Sequence, residues 1–140
     1  MSLIHGSQGI IYFCHEFEPK FVEAGLLAHP EQLKAVSEVN HQILSLAPVL
    51  NSPTIPAGAQ AASSDTAAPV SIMVKKFGGA TYVFAVSMRD KETTASFKVA
   101  GVNDAQAMDL NNEPPRPIQV KGGAFEDKFK GYEVHIYKIQ

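Results

Sequence analysis

The sequence has a single cysteine, Cys14, and no tryptophan among its 140 residues. One cysteine cannot form an internal disulfide, so a disulfide framework does not hold the fold together. No apolar run approaches the roughly 20 residues that cross a bilayer, and the N-terminus lacks the basic start and apolar run of a secretory signal. The sequence therefore predicts no membrane span and no signal peptide, and it leaves the compartment open.

Neither sign of charge is in large excess, because the sequence has 14 acidic and 12 basic residues and a formal net charge of −2. Without a basic surplus or a basic run, the chain lacks the electrostatic footprint of a nucleic-acid-binding protein. Apolar residues make up 45% of the sequence, which is enough to build a hydrophobic core. The length allows one ordinary domain, or a small domain with a helical appendage.

Residues 69–140 carry the pattern of a β-rich domain. Residues 80–88 are its most apolar strand, with Tyr82, Phe84, Val86 and Met88 on the side that we expect the other strands to cover. Glycine pairs and polar turns separate further short strands over residues 70–76, 93–99, 105–110, 116–121, 124–129 and 132–139. About seven strands at spacings of roughly 8 to 12 residues predict an antiparallel β-sandwich.

Residues 1–50 read differently, as one strand and one helix. The apolar centre at residues 10–14, which follows Gly9, suits a strand buried on both faces, as in a parallel sheet, although a short buried helix fits the same pattern. A helix is predicted from Pro30 to about Ala47, because proline favours the first turn and Pro48 disfavours helix at the residue before it. Its apolar stripe runs from Leu33 to Ala47 and must be covered.

The segment between these parts, residues 51–68, is rich in Ser, Thr, Pro, Ala and Gly, with Asp65 its only charge. That composition predicts a linker or a surface loop. The overall prediction is a mainly β chain with an N-terminal α/β piece: one strand, one helix, a linker and a sandwich.

The tail Gly123-Ala-Phe-Glu-Asp-Lys-Phe-Lys-Gly-Tyr-Glu-Val-His-Ile-Tyr-Lys-Ile139 resembles the end of the C-terminal β-sandwich in glycoside hydrolases with a (β/α)8 catalytic barrel. So does the pair of segments at residues 78–85 and 95–99. Residues 9–15 are similar to the eighth barrel strand, and residues 30–50 to the helix that follows it. The resemblance implies a C-terminal accessory region that packs on an upstream catalytic barrel, whose substrate is a carbohydrate.

The resemblance also bears on the site residues. Barrel active sites lie at the C-terminal ends of the strands, so His15, Glu16 and Phe17 are predicted to border the substrate cleft if residues 9–14 are strand eight. The alternative is that they are ordinary residues leaving a strand. Glycoside hydrolysis needs two carboxyl groups across the scissile bond, and in the resembled enzymes both lie after strands that would precede Met1. No catalytic residue is therefore predicted in this chain.

The remaining candidates favour structural roles. Cys14 and His15 are adjacent on a predicted strand and would point to opposite faces, so they make a poor nucleophile and base. The five histidines show no close ligand spacing, and neither a metal nor a cofactor is predicted. His135, in the last strand, is predicted to make a hydrogen bond at the sandwich edge or the barrel interface. The aromatic residues of the strands are predicted to be core residues rather than a sugar platform.

These observations predict a non-catalytic accessory region that stabilises a glycoside hydrolase barrel. The alternative is a freestanding carbohydrate-binding or protein-interaction module, and a third hypothesis is a small enzyme that uses Cys14 or Glu16. Because the stripe of the helix would lack its barrel partner, the isolated chain is predicted to form a homo-oligomer.

Overall fold

A computed structural model describes all 140 residues and shows a mainly β protein. A short 3-10 helix, Gly25–Ala28, precedes one α-helix, α1 (Pro30–Leu50). Eight strands follow: β1 (Ala59–Ser63), β2 (Val70–Phe77), β3 (Ala80–Ser87), β4 (Thr93–Val99), β5 (Ala105–Asp109), β6 (Arg116–Val120), β7 (Ala124–Phe129) and β8 (Val134–Ile139). The predicted antiparallel sandwich is confirmed.

The strands form two antiparallel sheets. One has five strands in the order β2-β3-β8-β5-β6, and the other has three in the order β1-β4-β7. Aromatic rings fill the space between them: Phe97 stacks on Phe125 at 4.7 Å between ring centroids, and Tyr137 of the opposite sheet meets Phe97 edge-on at 5.4 Å. Such ring pairs add to the stabilisation that burial of apolar area provides.

Strand β3 is buried along its whole length, but its two faces are covered in an unexpected order. Val83 and Ala85 face the core between the sheets, whereas Tyr82 and Phe84 lie on the outer face. The end of α1, through Val49, covers that outer face. The prediction that the other strands cover the Tyr82 side was wrong, because that side faces the helix and the smaller Val83 and Ala85 face the opposite sheet.

Helix α1 begins at Pro30 as predicted and continues three residues past the predicted end, to Leu50. Pro48 has no N–H and so forfeits one helical hydrogen bond. Burial of Val49 against the sheet, and a hydrogen bond from the Asn51 backbone N–H to the Ala47 carbonyl, stabilise the last turn. The C-terminal half of the helix contacts the sandwich, through Val49 and through a hydrogen bond of 2.8 Å from the Gln42 amide to Asn111, whereas Leu44 is 71% exposed. No helix combines the length and the apolar character needed to span a membrane.

Two segments differ from the sequence-based expectation. Residues 9–14 form no strand and Ile11 is 98% exposed, because both sheets here are antiparallel and neither offers this segment a backbone partner. Within residues 51–68, strand β1 forms where a linker was predicted. It pairs with β4, with Ala59 opposite Val99 and Ala61 opposite Phe97, and so belongs to the sandwich.

Candidate functional site

Five polar side chains meet inside the sandwich, and we refer to them as the polar cluster. Asp109 ends β5, Arg116 begins β6, Asp127 lies on β7, and His135 and Tyr137 lie on β8. Asp127 belongs to the three-stranded sheet and the other four to the five-stranded sheet. The polar cluster therefore connects the two sheets.

Asp109 is the best-held member, because its side chain is completely buried. Its Oδ1 accepts hydrogen bonds from the backbone N–H groups of Asn111 (3.2 Å) and Ile136 (3.1 Å). Its Oδ2 accepts from the Asn112 side-chain amide at 2.7 Å and lies 2.5 Å from Nδ1 of His135. A buried carboxylate needs such donors, since an unpaired buried charge is very costly.

Arg116 and Tyr137 satisfy the second carboxylate. Nη2 of Arg116 donates to Asp127 Oδ2 and lies 3.2 Å from Asp109 Oδ2, so one guanidinium nitrogen spans both acids. The Tyr137 hydroxyl donates to Asp127 Oδ2 at 2.9 Å. These contacts carry charge, which makes them stronger than hydrogen bonds between neutral groups.

The polar cluster balances its own charge. Burial alone would lower the pKa of His135, but the hydrogen bond to Asp109 and the nearby carboxylates of Asp127 and Glu133 outweigh it and raise the pKa. Burial alone would raise the pKa of Asp109, but hydrogen bonds led by that from His135 outweigh it and lower the pKa. The hydrogen bond to Asp127 raises the pKa of Arg116. At pH values between the lowered pKa of Asp109 and the raised pKa of His135, the positive charges of His135 and Arg116 thus offset the two carboxylates of the polar cluster.

Tyr137 stays a neutral donor in this arrangement. Burial is the main cause that raises the pKa of its hydroxyl, and the Asp127 charge adds to the effect. The carboxylates are consequently occupied by donors, and Asp109 has no surface that a substrate could reach. Carboxyl groups that cleave a glycoside must flank the scissile bond, so this geometry suits a structural connection between sheets rather than catalysis.

A cleft of about 890 Å³ lies beside the polar cluster. Its lining comes from the start of β4, from β7 and from the residues around the start of β8, and Phe129 is its only apolar member. His135 belongs to the lining of this cleft, and its second ring nitrogen, Nε2, is buried and has no hydrogen-bond partner. The nearest acid is Glu133, whose Oε2 lies 3.5 Å from Nε2.

The residues predicted at a substrate cleft, His15, Glu16 and Phe17, lie elsewhere, on the N-terminal segment. Glu16 forms an isolated backbone bridge with Val22, and its carboxylate contacts Nε2 of His29. Since residues 9–14 form no barrel strand within this chain, the role at a cleft stays a prediction.

His15 and Phe17 join Phe13 and Phe21 in an exposed group of four rings, which we call the aromatic group. Neighbouring ring centroids in the aromatic group are 5.0 to 6.0 Å apart. Cys14 is not paired with His15: its Sγ lies 3.8 Å from the Tyr12 carbonyl. His135 makes a hydrogen bond as predicted, but not at the sandwich edge: β8 lies between β3 and β5, and the partner is Asp109 inside the sandwich.

Sequence reasoning missed Asp109, Arg116 and Asp127. The sequence contains a sign of the two acids, because Asp109 and Asp127 each occupy an inward position of a strand whose polar and apolar residues alternate. Asp109 shares the parity of buried Ala107, and Asp127 lies midway between buried Phe125 and Phe129. A charged residue in an apolar series indicates a buried ion pair, although its partner cannot be named from the strand alone.

Neither a scan against protein-family models nor a search of curated protein sequences found a match for this chain.

Proposed function

We propose that this chain is the non-catalytic C-terminal accessory region of a (β/α)8-barrel glycoside hydrolase, and that it packs on the barrel and stabilises it. The observation that carries the proposal is the N-terminal apolar surface, which consists of ten large apolar side chains that are exposed between residues 10 and 44. They are Ile10, Ile11, Tyr12, Phe13, Phe17, Phe21, Leu27, Leu33, Val39 and Leu44. Exposed apolar side chains in this number mark a surface that another protein surface covers.

The backbone of the same region supports the proposal. Residues 9–13 make no backbone hydrogen bond, although their sequence is that of a strand buried on both faces. Buried backbone groups need partners, and in a (β/α)8 barrel the eighth strand receives them from the first and seventh strands. A barrel would thus supply both the hydrogen bonds and the apolar cover that this segment lacks on its own.

The sandwich, by contrast, is complete in itself. Its core residues are almost inaccessible to solvent, with Val83 and Tyr137 fully buried, and the polar cluster uses its carboxylates for internal contacts. A self-sufficient domain whose buried carboxylates are occupied by internal contacts, joined to a segment that needs cover, suits an accessory role.

The proposal is tested on the DNA that lies upstream of the coding segment of this chain in the source genome. We expect the reading frame to continue through roughly 250 residues of alternating strands and helices. The extended protein should hydrolyse members of a panel of aryl glycosides, and the present chain should not. The control is a variant of the extended protein in which the two expected catalytic carboxylates, which follow strands of the upstream barrel, are changed to amides. A ribosome-binding site and stop codon at this point, or an inactive extended protein, would overturn the proposal.

The alternative, a freestanding carbohydrate-binding module, is favoured by the aromatic group. Exposed ring faces can stack on sugars, since they offer apolar area with a defined shape. This alternative predicts that the chain alone binds oligosaccharides and that Phe13→Ala with Phe17→Ala abolishes binding. The accessory-region proposal predicts no measurable binding by the chain alone, so a glycan array distinguishes the two.

A further inference from the structure

Glu133 connects the loop between β7 and β8 to the buried ring of His135. Its Oε2 accepts a hydrogen bond of 2.6 Å from the Lys130 backbone N–H and lies 3.5 Å from Nε2 of His135. Only 7% of the His135 side chain is exposed, and Nε2 is buried without a hydrogen-bond partner. Because charges in buried pairs are little screened by solvent, the contact between Glu133 and His135 depends strongly on the charge of the imidazole.

The protonation of His135 decides whether this contact is attractive. The imidazolium carries a proton on each ring nitrogen, so its Nε2–H attracts the Glu133 carboxylate. A neutral ring keeps its one proton on Nδ1, because the Asp109 carboxylate lies 2.5 Å from that nitrogen and accepts from it. Nε2 then carries a lone pair, and two acceptors face each other at 3.5 Å. Loss of one proton therefore converts the attraction into a repulsion.

The other charged groups around the imidazole approach its opposite nitrogen. The titratable and charged groups that face the ring are Asp109 from β5, Arg116 from β6, Asp127 from β7, Glu133 from the loop and Tyr137 from β8. Asp109, Arg116 and Asp127 lie 2.5, 3.5 and 3.7 Å from Nδ1. Tyr137 stacks on the ring at 5.8 Å between centroids, and burial raises the pKa of its hydroxyl, so it stays neutral. Glu133 is thus the charged group that responds to the proton on Nε2.

The loop that Glu133 holds contains a strained residue. Tyr132 has a φ of 57°, in the left-handed region that residues other than glycine rarely adopt. Such a conformation persists where surrounding contacts hold it. Backbone hydrogen bonds of 3.0 Å, from Tyr132 to the Arg89 carbonyl and from Ser87 to the Glu133 carbonyl, anchor the loop to the end of β3. Release of the Glu133 carboxylate would therefore free the Lys130 N–H and loosen the turn without opening the sandwich.

We propose that Glu133 and His135 form a pH-sensitive latch at the rim of the cleft. While His135 is protonated, it holds the Glu133 carboxylate, which caps the Lys130 N–H. When His135 loses its proton at higher pH, the carboxylate turns away into the cleft and the turn at residues 130–132 loosens. Lys130, Glu133 and His135 all line the cleft, so the latch changes the shape and charge of one of its walls. The latch lies within the sandwich and is independent of the proposed accessory function.

The proposal is tested on the full chain by hydrogen exchange of the Lys130 backbone amide. NMR of the His135 ring protons follows its titration between about pH 6 and about pH 10 in the same samples. After correction for the intrinsic pH dependence of exchange, we expect the protection of the Lys130 amide to fall about tenfold as His135 loses its proton. A loss of this size corresponds to one hydrogen bond to a charged acceptor.

Glu133→Gln is the decisive variant. The amide oxygen can still accept from the Lys130 N–H, and the amide N–H can donate to a neutral Nε2, so the loop should stay closed at every pH tested. We expect this variant to keep the fold, checked by circular dichroism, and to lose the pH response of the Lys130 amide. His135 should titrate at lower pH in it, because an opposing charge is removed.

Glu126→Gln, in the same cleft, is the matched control and should respond to pH like the parent. Three results would overturn the proposal. They are unchanged protection of the Lys130 amide in the parent while His135 titrates, the absence of a His135 titration below about pH 10, and an equal pH response of the Lys130 amide in Glu133→Gln and the parent.

Discussion

The polar cluster makes a sharp prediction for the change Tyr137→Phe. The hydroxyl donates to Asp127 at 2.9 Å, and the side chain of Tyr137 is fully buried. Phenylalanine keeps the ring and its packing against Phe97 and Phe125, so the change removes one hydrogen bond and little else. Because the acceptor is a carboxylate that also pairs with Arg116, the loss should be about 2 kcal/mol in the free energy of unfolding.

Tyr12→Phe is a matched control, because Tyr12 also donates at 2.9 Å, to the Asn40 side chain, but is 39% exposed. Water replaces an exposed hydrogen bond, so this change should cost at most about 0.5 kcal/mol. Urea unfolding at neutral pH measures the free energy of unfolding of the Tyr137→Phe and Tyr12→Phe variants and of the parent chain. For Tyr137→Phe we expect the midpoint to fall by roughly 1 M with an unchanged slope. If Tyr137→Phe costs no more than Tyr12→Phe, the polar cluster does not connect the sheets as described.

Three further predictions concern pH, a turn and association. The stabilisation that His135 contributes is complete below its ordinary pKa of 6.5, and it is lost as the pH rises through the raised pKa of the folded state. The stabilisation that Asp109 contributes is complete above its ordinary pKa of 3.8, and it is lost as the pH falls through the lowered pKa of the folded state. The urea midpoint should therefore be highest between pH 3.8 and 6.5, and a midpoint that climbs steadily above pH 6.5 would contradict this prediction. Gly123→Ala places a Cβ 2.5 Å from the Val102 carbonyl oxygen, whereas the Cβ of Gly78→Ala meets no atom within 4 Å and adds only the backbone strain of a positive φ angle, about 1 kcal/mol. Gly123→Ala should therefore lower the thermal unfolding midpoint clearly more than Gly78→Ala, and equal midpoints would refute the clash. The isolated chain should form dimers or larger assemblies in light scattering, and Leu44→Glu should shift it towards monomer; a monodisperse wild-type monomer would disprove the association.

The strands of the sandwich could be predicted because their signals are local. Strand β4 has the predicted bounds, since Ala95, Phe97 and Val99 alternate with polar residues and face inward. Glycine pairs such as Gly78-Gly79 adopt positive φ angles in the turn between β2 and β3 and so mark where one strand ends. Alternation and turn chemistry act over a few residues, and these are properties that a sequence shows directly.

Residues 9–14 and β1 could not be assigned in this way, because partners rather than local pattern decide them. The first segment has the apolar run of a buried strand and no neighbour to pair with. Strand β1 has the composition of a linker and becomes a strand through its register with β4. Strand formation depends on the partner as well as on the segment.

The polar cluster could not be predicted from the sequence for a similar reason. The inward parity of Asp109 and Asp127 could have indicated buried acids. Their common partner, Arg116, begins a strand after a proline-rich loop and carries no such pattern. Only the pairing of β5, β6 and β8, and the position of β7 across from them, brings the charges together.

The account rests on the N-terminal apolar surface being an interface with an upstream catalytic barrel. Hydrogen–deuterium exchange of the isolated chain, compared with the same chain in the polypeptide extended through its upstream reading frame, tests this most directly. We predict strong additional protection of residues 9–44 in the extended protein and unchanged exchange in strands β2 to β8. Equal exchange of residues 9–44 in the two proteins would contradict the account.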